Sequence, residues 1–228
     1  SLIMALNING TTGISGADGS VSAPALTGTD SNTGITFPAA DTIKFSTGGV
    51  ERMSITNSGV SGITAGITMA DTWRLHTEYT IPHNSTTVVS TANWERPDTS
   101  NDGFNQLGTG MSLDTSNHSA GLYTFPSTGY YLISYGGYCY NGSNDPYEVF
   151  IRMEFTENGS NFGVQGRVYL SGERYNYNGA YGQMIVDVTD ASTQKFRLRV
   201  YSAVSDSRLH GDSNGNRNYL NFIRLGDT

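Results

Sequence analysis

Side chains along a β-strand alternate between its two faces, so the spacing of apolar positions shows which faces stay dry. In Gly121-Leu-Tyr-Thr-Phe-Pro-Ser-Thr-Gly-Tyr-Tyr-Leu-Ile-Ser-Tyr135 a turn leads into a strand. Tyr131, Ile133 and Tyr135 point one way, and Tyr130, Leu132 and Ser134 the other. A strand at the surface of a lone sandwich shows one wet face. This strand shows none, so its second face is expected to meet something, and another copy of the chain is the candidate. The closing stretch Asn218-Tyr-Leu-Asn-Phe-Ile-Arg-Leu225 is also apolar on both faces. Between the two run strands with a wet face. Tyr147, Val149, Ile151, Met153 and Phe155 alternate with Glu148, Arg152 and Glu154. Phe162, Val164, Val168 and Leu170 follow, with Gly166 in phase as a bulge marker. Met184, Val186 and Val188 come next, then Phe196, Leu198 and Val200 opposite Lys195, Arg197 and Arg199. Ahead of them all, Trp73, Leu75, Thr77, Tyr79 and Ile81 read as one face of a first strand. No 11-residue window has helical periodicity, and short strands between turn signals indicate a sandwich or jelly roll. The two doubly apolar strands are predicted side by side in one sheet, the others in the second, with association through the first sheet.

Residues 1–70 have a different pattern. Single aliphatics stand among Gly, Ser, Thr, Ala and Asn, and the only aromatics are Phe37 and Phe45. Asn7–Gly16 is echoed weakly by Ser54–Gly62. Units of this kind cannot bury their apolar side alone and need neighbouring units or chains. Thr42–Ser46 and Val50–Ile55 read as a hairpin around Thr47-Gly-Gly. The predicted organisation is an extended, β-rich shaft or attachment region over 1–70 and a sandwich over 71–228.

Composition removes several classes. Of 228 residues 14% are charged, two are Lys, and the net charge is −7. Nucleic-acid binding needs a basic patch, and attraction to anionic lipid needs basic residues, so neither partner is expected. No run approaches the roughly 20 apolar residues of a membrane span. Ser1-Leu-Ile-Met lacks the basic and long apolar regions of a signal peptide, so classical export is not expected. One cysteine, Cys139, excludes an intrachain disulfide framework and reads as a small core filler.

Phe125-Pro-Ser-Thr-Gly-Tyr-Tyr-Leu-Ile133 and the ending Asn221-Phe-Ile-Arg-Leu-Gly226 resemble the C1q/tumour-necrosis-factor jelly roll. The resemblance covers about two-thirds of the chain and implies a homotrimer whose threefold axis meets the sheet carrying both stretches. On that reading Tyr130, Leu132, Leu220 and Phe222 form the trimer interface. Ala40-Asp-Thr-Ile-Lys-Phe-Ser-Thr-Gly-Gly-Val-Glu-Arg-Met-Ser-Ile55 resembles segments that recur in bacteriophage tail-fibre and other virion proteins, particularly marine ones. There such segments precede assorted C-terminal knobs. The collagen stalk of animal C1q proteins is absent.

Chemistry-bearing clusters are sparse. His76, His83, His118 and His210 show no metal spacing. Asp212-Ser-Asn-Gly-Asn216 resembles a calcium loop but lacks the sixth-position Gly and distal Glu, and turn chemistry explains it better. Asp98–Asp102 and Asn141–Asp145 are loops first and Ca²⁺ ligands second. No cofactor is expected beyond this Ca²⁺ alternative. No nucleophile elbow, phosphate loop or dinucleotide fingerprint is present, and the chain is not expected to be an enzyme. Tyr175, Tyr177 and Tyr181 in the loop Ser171–Tyr181, with Trp94 in Ala92–Pro97, are candidates for ligand contact. The expected function is a virion structural protein, a homotrimeric fibre or spike on tail or capsid. Its 1–70 region would meet other virion proteins and its knob a host-surface glycan or protein. A cellular C1q-like adhesion or lectin module and a capsule depolymerase are the alternatives.

Overall fold

The computed structural model describes residues 7–9, 13–15, 18–62, 66–98, 104–142, 148–173 and 175–228, with backbone only for the first two segments. The chain divides into two compact units, Ser1–Gly66 and Ile67–Thr228. Among the described residues there is no α-helix, only two short 3₁₀ turns.

In the first unit Asn7–Asn9 pairs with Gly13–Ser15. Strands Leu26–Thr27, Gly34–Ala39, Thr42–Thr47, Val50–Thr56 and Gly59–Ser61 form an antiparallel sheet in sequence order. The expected hairpin is present, and its turn residues Gly48 and Gly49 both have positive φ (58° and 73°). Two consecutive left-handed residues match the twist of the flanking strands, and glycine adopts them without strain.

The second unit is built on eight strands: β1 (Ala70–Leu75), β2 (Leu122–Thr124), β3 (Gly129–Tyr140), β4 (Val149–Thr156), β5 (Phe162–Tyr169), β6 (Tyr177–Val188), β7 (Lys195–Ser202) and β8 (Asn218–Gly226). One sheet has the order β1-β8-β3-β6 and the other β2-β7-β4-β5, all antiparallel. Consecutive strands switch sheets except at the β4–β5 hairpin, and the last strand inserts between the first and third, which is the strand order of a jelly roll. The core lies between the sheets. Tyr131, Ile133 and Tyr135 of β3, Leu220 and Phe222 of β8, Ile151 and Met153 of β4 and Phe196 and Val200 of β7 are all fully buried. Tyr123 of β2 bridges the layers, 5.9 Å from Trp73 and 5.3 Å from Phe222. Each such large apolar side chain contributes about 1.5–3 kcal/mol by leaving water. Two tyrosine hydroxyls inside this core are partnered: Tyr131 Oη donates to Ser127 O, and Tyr135 Oη to Asn218 Oδ1. Cys139 is buried among them, and burial pushes its thiol up to about 12.

The two doubly apolar strands, β3 and β8, are neighbours as expected. Four other expectations are corrected. The first strand stops at Leu75, because His76 N–H turns to Asn93 O and Tyr79–Thr80 pairs separately with Arg208–Leu209. Met184–Val188 belongs to β6, which extends the sheet of β3 rather than the second sheet. Phe162 and Val164 do not face the core. Met153 pairs with Gly166 but Glu154 with Val164, so Gln165 is the extra residue of a bulge. One added residue reverses the facing of everything beyond it. Glu154, expected in water, is 2% exposed. Arg197 Nε sits 2.8 Å from its carboxylate while the same guanidinium lies 3.7 Å over the outward-turned ring of Phe162. The bulge that displaces Phe162 thus supplies the lid over Glu154.

Asp190 closes the turn between β6 and β7, accepting from Ser192 Oγ and N–H and from Thr193 Oγ1. These bonds, the Ser192 hydroxyl first, hold its carboxyl down at about 2. A carboxyl lower in the folded than in the unfolded chain stabilises above the unfolded value and loses that contribution as pH falls through the folded one. Asp190→Ala should therefore lower the urea midpoint at pH 5–7, and the gap to the unaltered chain should narrow from about pH 4 down to pH 2. A gap independent of pH across that range would contradict the assignment.

Candidate functional site

The outer face of the β1-β8-β3-β6 sheet is organised in rows set by the register. Ala70, Ile223, Leu132 and Ile185 form one apolar row across all four strands. Thr72, Asn221, Ser134 and Gln183 form the next, and Arg74, Tyr219, Gly136 and Tyr181 a third. Thr72 Oγ1 donates to Asn221 Oδ1 at 2.9 Å, which holds the polar row together. Tyr219 lies flat across Gly136, where an added Cβ would fall 2.5 Å from the Tyr219 hydroxyl. Only glycine leaves room for that ring. Arg74, wholly buried at the row's end, is paired with Glu95 (2.8 Å) and Asp98 (3.0 Å). Among the described residues no second layer covers this face, and Ile185 is 65% and Tyr181 59% exposed.

The face ends in an aromatic and charged cluster. Tyr138 stacks on His210 (5.7 Å), and Tyr177 meets both edge-on. Arg217 Nη1 donates to Tyr138 Oη (3.0 Å) and to His210 Nε2 (2.9 Å), which puts the imidazole proton on Nδ1, the atom nearest Glu78. Arg217 also pairs with Asp212, and the Tyr138 hydroxyl and this carboxylate raise its already high pKa. Asp212 Oδ1 accepts from Asn214 N–H; that bond, with Arg217, keeps its carboxyl below the usual range. Both oxygens of Asp212 are thus engaged by its own turn. Residues 99–103 and 143–147, which hold most of the other two loops read as Ca²⁺ alternatives, lie outside the described residues.

The opposite edge of the same sheet carries a cleft of about 620 Å³, with Trp73, Trp94, Met111, Arg96, Gln106 and His118 among its lining. Asp71 lies beneath it, fully buried. Its carboxylate accepts from Arg96 Nε (2.8 Å) and Nη2 (2.9 Å), from Trp73 Nε1 (2.9 Å) and from Met111 N (2.6 Å). The Arg96 guanidinium also covers the Trp73 ring at 4.3 Å.

The expected site residues separate. Tyr130 and Leu132 lie on the outer face as predicted, but Leu220 and Phe222 are fully buried in the core and cannot touch a neighbour. The outward residues of β8 are Tyr219, Asn221 and Ile223, one step out of phase. Tyr177 and Tyr181 are not in a loop: they project from the outer face of β6, and only Tyr175, with φ of 54°, occupies the turn before it. Trp94 is 5% exposed in the cleft at the far edge, paired with Leu75, and so does not join the tyrosines. Ile185 was missed, although Met184-Ile-Val186 is itself a doubly apolar run. Asp71 carried no local signal, since its partners come from three separate segments.

By its strand order the second unit is a jelly roll. Solved structures of similar chain course include murine APRIL at pH 5.0, with TM-score 0.47 and 13% identity over 69% of this chain and 98% of that one. Eiger TNF from S. frugiperda gives 0.48 and 16% over 72% and 96%. PRD1 vertex protein P5 gives 0.43 and 14% over 72% and 100%. No family model and no curated protein matches the chain.

Removing Asp71 leaves Arg96 without its carboxylate and two buried N–H donors without an acceptor. Asp71→Ala should cost about 3–5 kcal/mol of stability, and Asp71→Asn less. Urea unfolding followed by the fluorescence of Trp73 and Trp94, the only tryptophans, measures it directly. A loss under about 1 kcal/mol would contradict the arrangement.

Proposed function

We propose that the chain is a non-enzymatic virion structural protein that forms a homotrimeric fibre or spike. The jelly roll is its knob, and the N-terminal unit its shaft or point of attachment to other virion proteins. One observation carries the proposal: an apolar row runs unbroken across four strands of a sheet whose other side is already the core. The sheet of β2, β7, β4 and β5 is the internal comparison. Its outer face carries Arg152, Arg167, Arg199, Arg197 and Glu154. It also carries an aromatic row, Tyr169, Phe150 and Tyr201, but Arg152 and Arg167 lie over the Phe150 ring and Arg197 over that of Phe162, so charged groups cover the apolar surface there. Contiguous apolar area without such a cover marks an association surface. Identical faces meeting around an axis close an assembly without leaving an open end. The likeness of Ala40–Ile55 to phage virion segments supports the setting.

The tyrosines at the rim of this face, Tyr175 in the turn and Tyr177 against Tyr138 and Tyr140, which Arg217 and Arg208 contact in turn, suit a host-surface ligand. They offer rigid contact area and adaptable hydrogen bonds at little entropic cost. Three copies would present three such rims, and avidity then makes individually weak contacts sufficient.

Light scattering of the native chain at micromolar concentration should give three times the 24.5 kDa chain mass. Ile185→Asp with Leu132→Asp should weaken association at least tenfold, about 1.4 kcal/mol, while leaving the circular dichroism of the sandwich unchanged. A monomeric native chain, or a double variant with unaltered mass, would overturn the trimer. Antibody labelling of intact particles tests the virion setting separately.

A further inference from the structure

The sheet of the N-terminal unit is dry on the wrong side for a free domain. Its register puts Leu26, Ile35, Phe45 and Met53 in one row across four strands and Ile43, Ile55 and Val60 in a second row on the same face. The opposite face carries Thr36, Lys44, Ser54 and Ser61, then Gly34, Ser46 and Glu51. Yet it is the hydroxyl-bearing face that is covered. Pro24 lies against Gly34, and Thr36, Ser46 and Ser54 are buried. The apolar face is open, with Leu26 43% and Val60 59% exposed.

We propose that this face packs against the same face of other copies of the chain, three around one axis. The inference rests on the homotrimeric reading above and assigns to it a second interface. Neither row contains a charge, because Lys44 and Glu51 pair with each other at 2.6 Å on the other face. Like can therefore meet like with no ion to desolvate. Strand spacing of about 4.8 Å and a rise of about 3.3 Å give the face roughly 400 Å². That is about half of the roughly 800 Å² per partner that a stable interface buries. The outer face of the knob sheet has similar dimensions, so the two together reach the required size. Once the knobs associate, the N-terminal sheets meet at an effective concentration that small affinities can exploit.

Cys139 is buried with its thiol pushed up to about 12, so it stays silent to maleimides near neutral pH and one introduced cysteine reports alone. Ile55→Cys places the reporter on the apolar face and Glu51→Cys on the polar one, each in the full chain. Val60→Cys serves as a second reporter in the same row. In the trimeric chain, maleimide labelling at position 55 should be at least tenfold slower than at 51, and a short bis-maleimide should link copies through 55 but not 51. A trimer whose Ile55→Cys labels freely, or does not link between copies, overturns this proposal and leaves the knob trimer standing. A monomer that labels freely at 55 overturns both. A monomer protected at 55 shows the face covered by the chain's own N-terminal residues, which also overturns the proposal.

Discussion

A sheet folded against a second sheet dries one of its faces, and the other must meet water or a partner. The β1-β8-β3-β6 sheet carries an unbroken apolar row on its outer face as well, and much of the molecule follows from that. Its inner face supplies Tyr131, Ile133, Tyr135, Leu220 and Phe222 to the core. Its outer face presents Ile223, Leu132 and Ile185 in line, with Tyr219 laid over Gly136 beside them. Rows of this kind exist only because the ladder between β3 and β6 stays in register over twelve residue pairs. One slipped residue would break every row at once.

The second sheet resolves the same problem differently. Its outer face is covered with arginines, and Glu154 is sunk among them beneath Arg197 and Arg199. Asp71 is the counterpart at the edge of the first sheet. Asp71 accepts from four N–H donors, and Glu154 is held by Arg197 at 2.8 Å with Arg199 at 3.7 Å. Pairing of this kind is the condition under which a buried charge is tolerated. Asp71 joins β1 to residues 96 and 111, while Glu154 reinforces the ladder between β4 and β7, where Arg197 is its direct cross-strand partner.

Much of this was legible in alternation. The pairing of β3 with β8, the inward sets of β4 and β7 and the Gly48-Gly49 turn all follow from period two and glycine chemistry. What was hidden depended on phase. A doubly apolar strand does not say which of its faces is inside, so Leu220 and Phe222 were assigned outward although both lie in the core. Gly166 marked the bulge, which falls at Gln165 beside it, but spacing alone did not show that the extra residue reverses Phe162 and Val164. Trp94 read as an exposed aromatic in a polar loop, because the walls that bury it arrive from distant segments. The N-terminal rows, by contrast, are spread over five strands with one or two apolar residues each, and only the register assembles them.

The central claim is that another copy of the chain covers the outer face of this sheet. Hydroxyl-radical footprinting of the native assembly tests it side chain by side chain. Ile185 and Leu132 should be protected in the concentrated protein and become reactive on dilution. Tyr169 and Val164, exposed on the other sheet, should react equally under both conditions. Equal oxidation of Ile185 in concentrated and dilute protein, at the rate of Val164, would contradict the account.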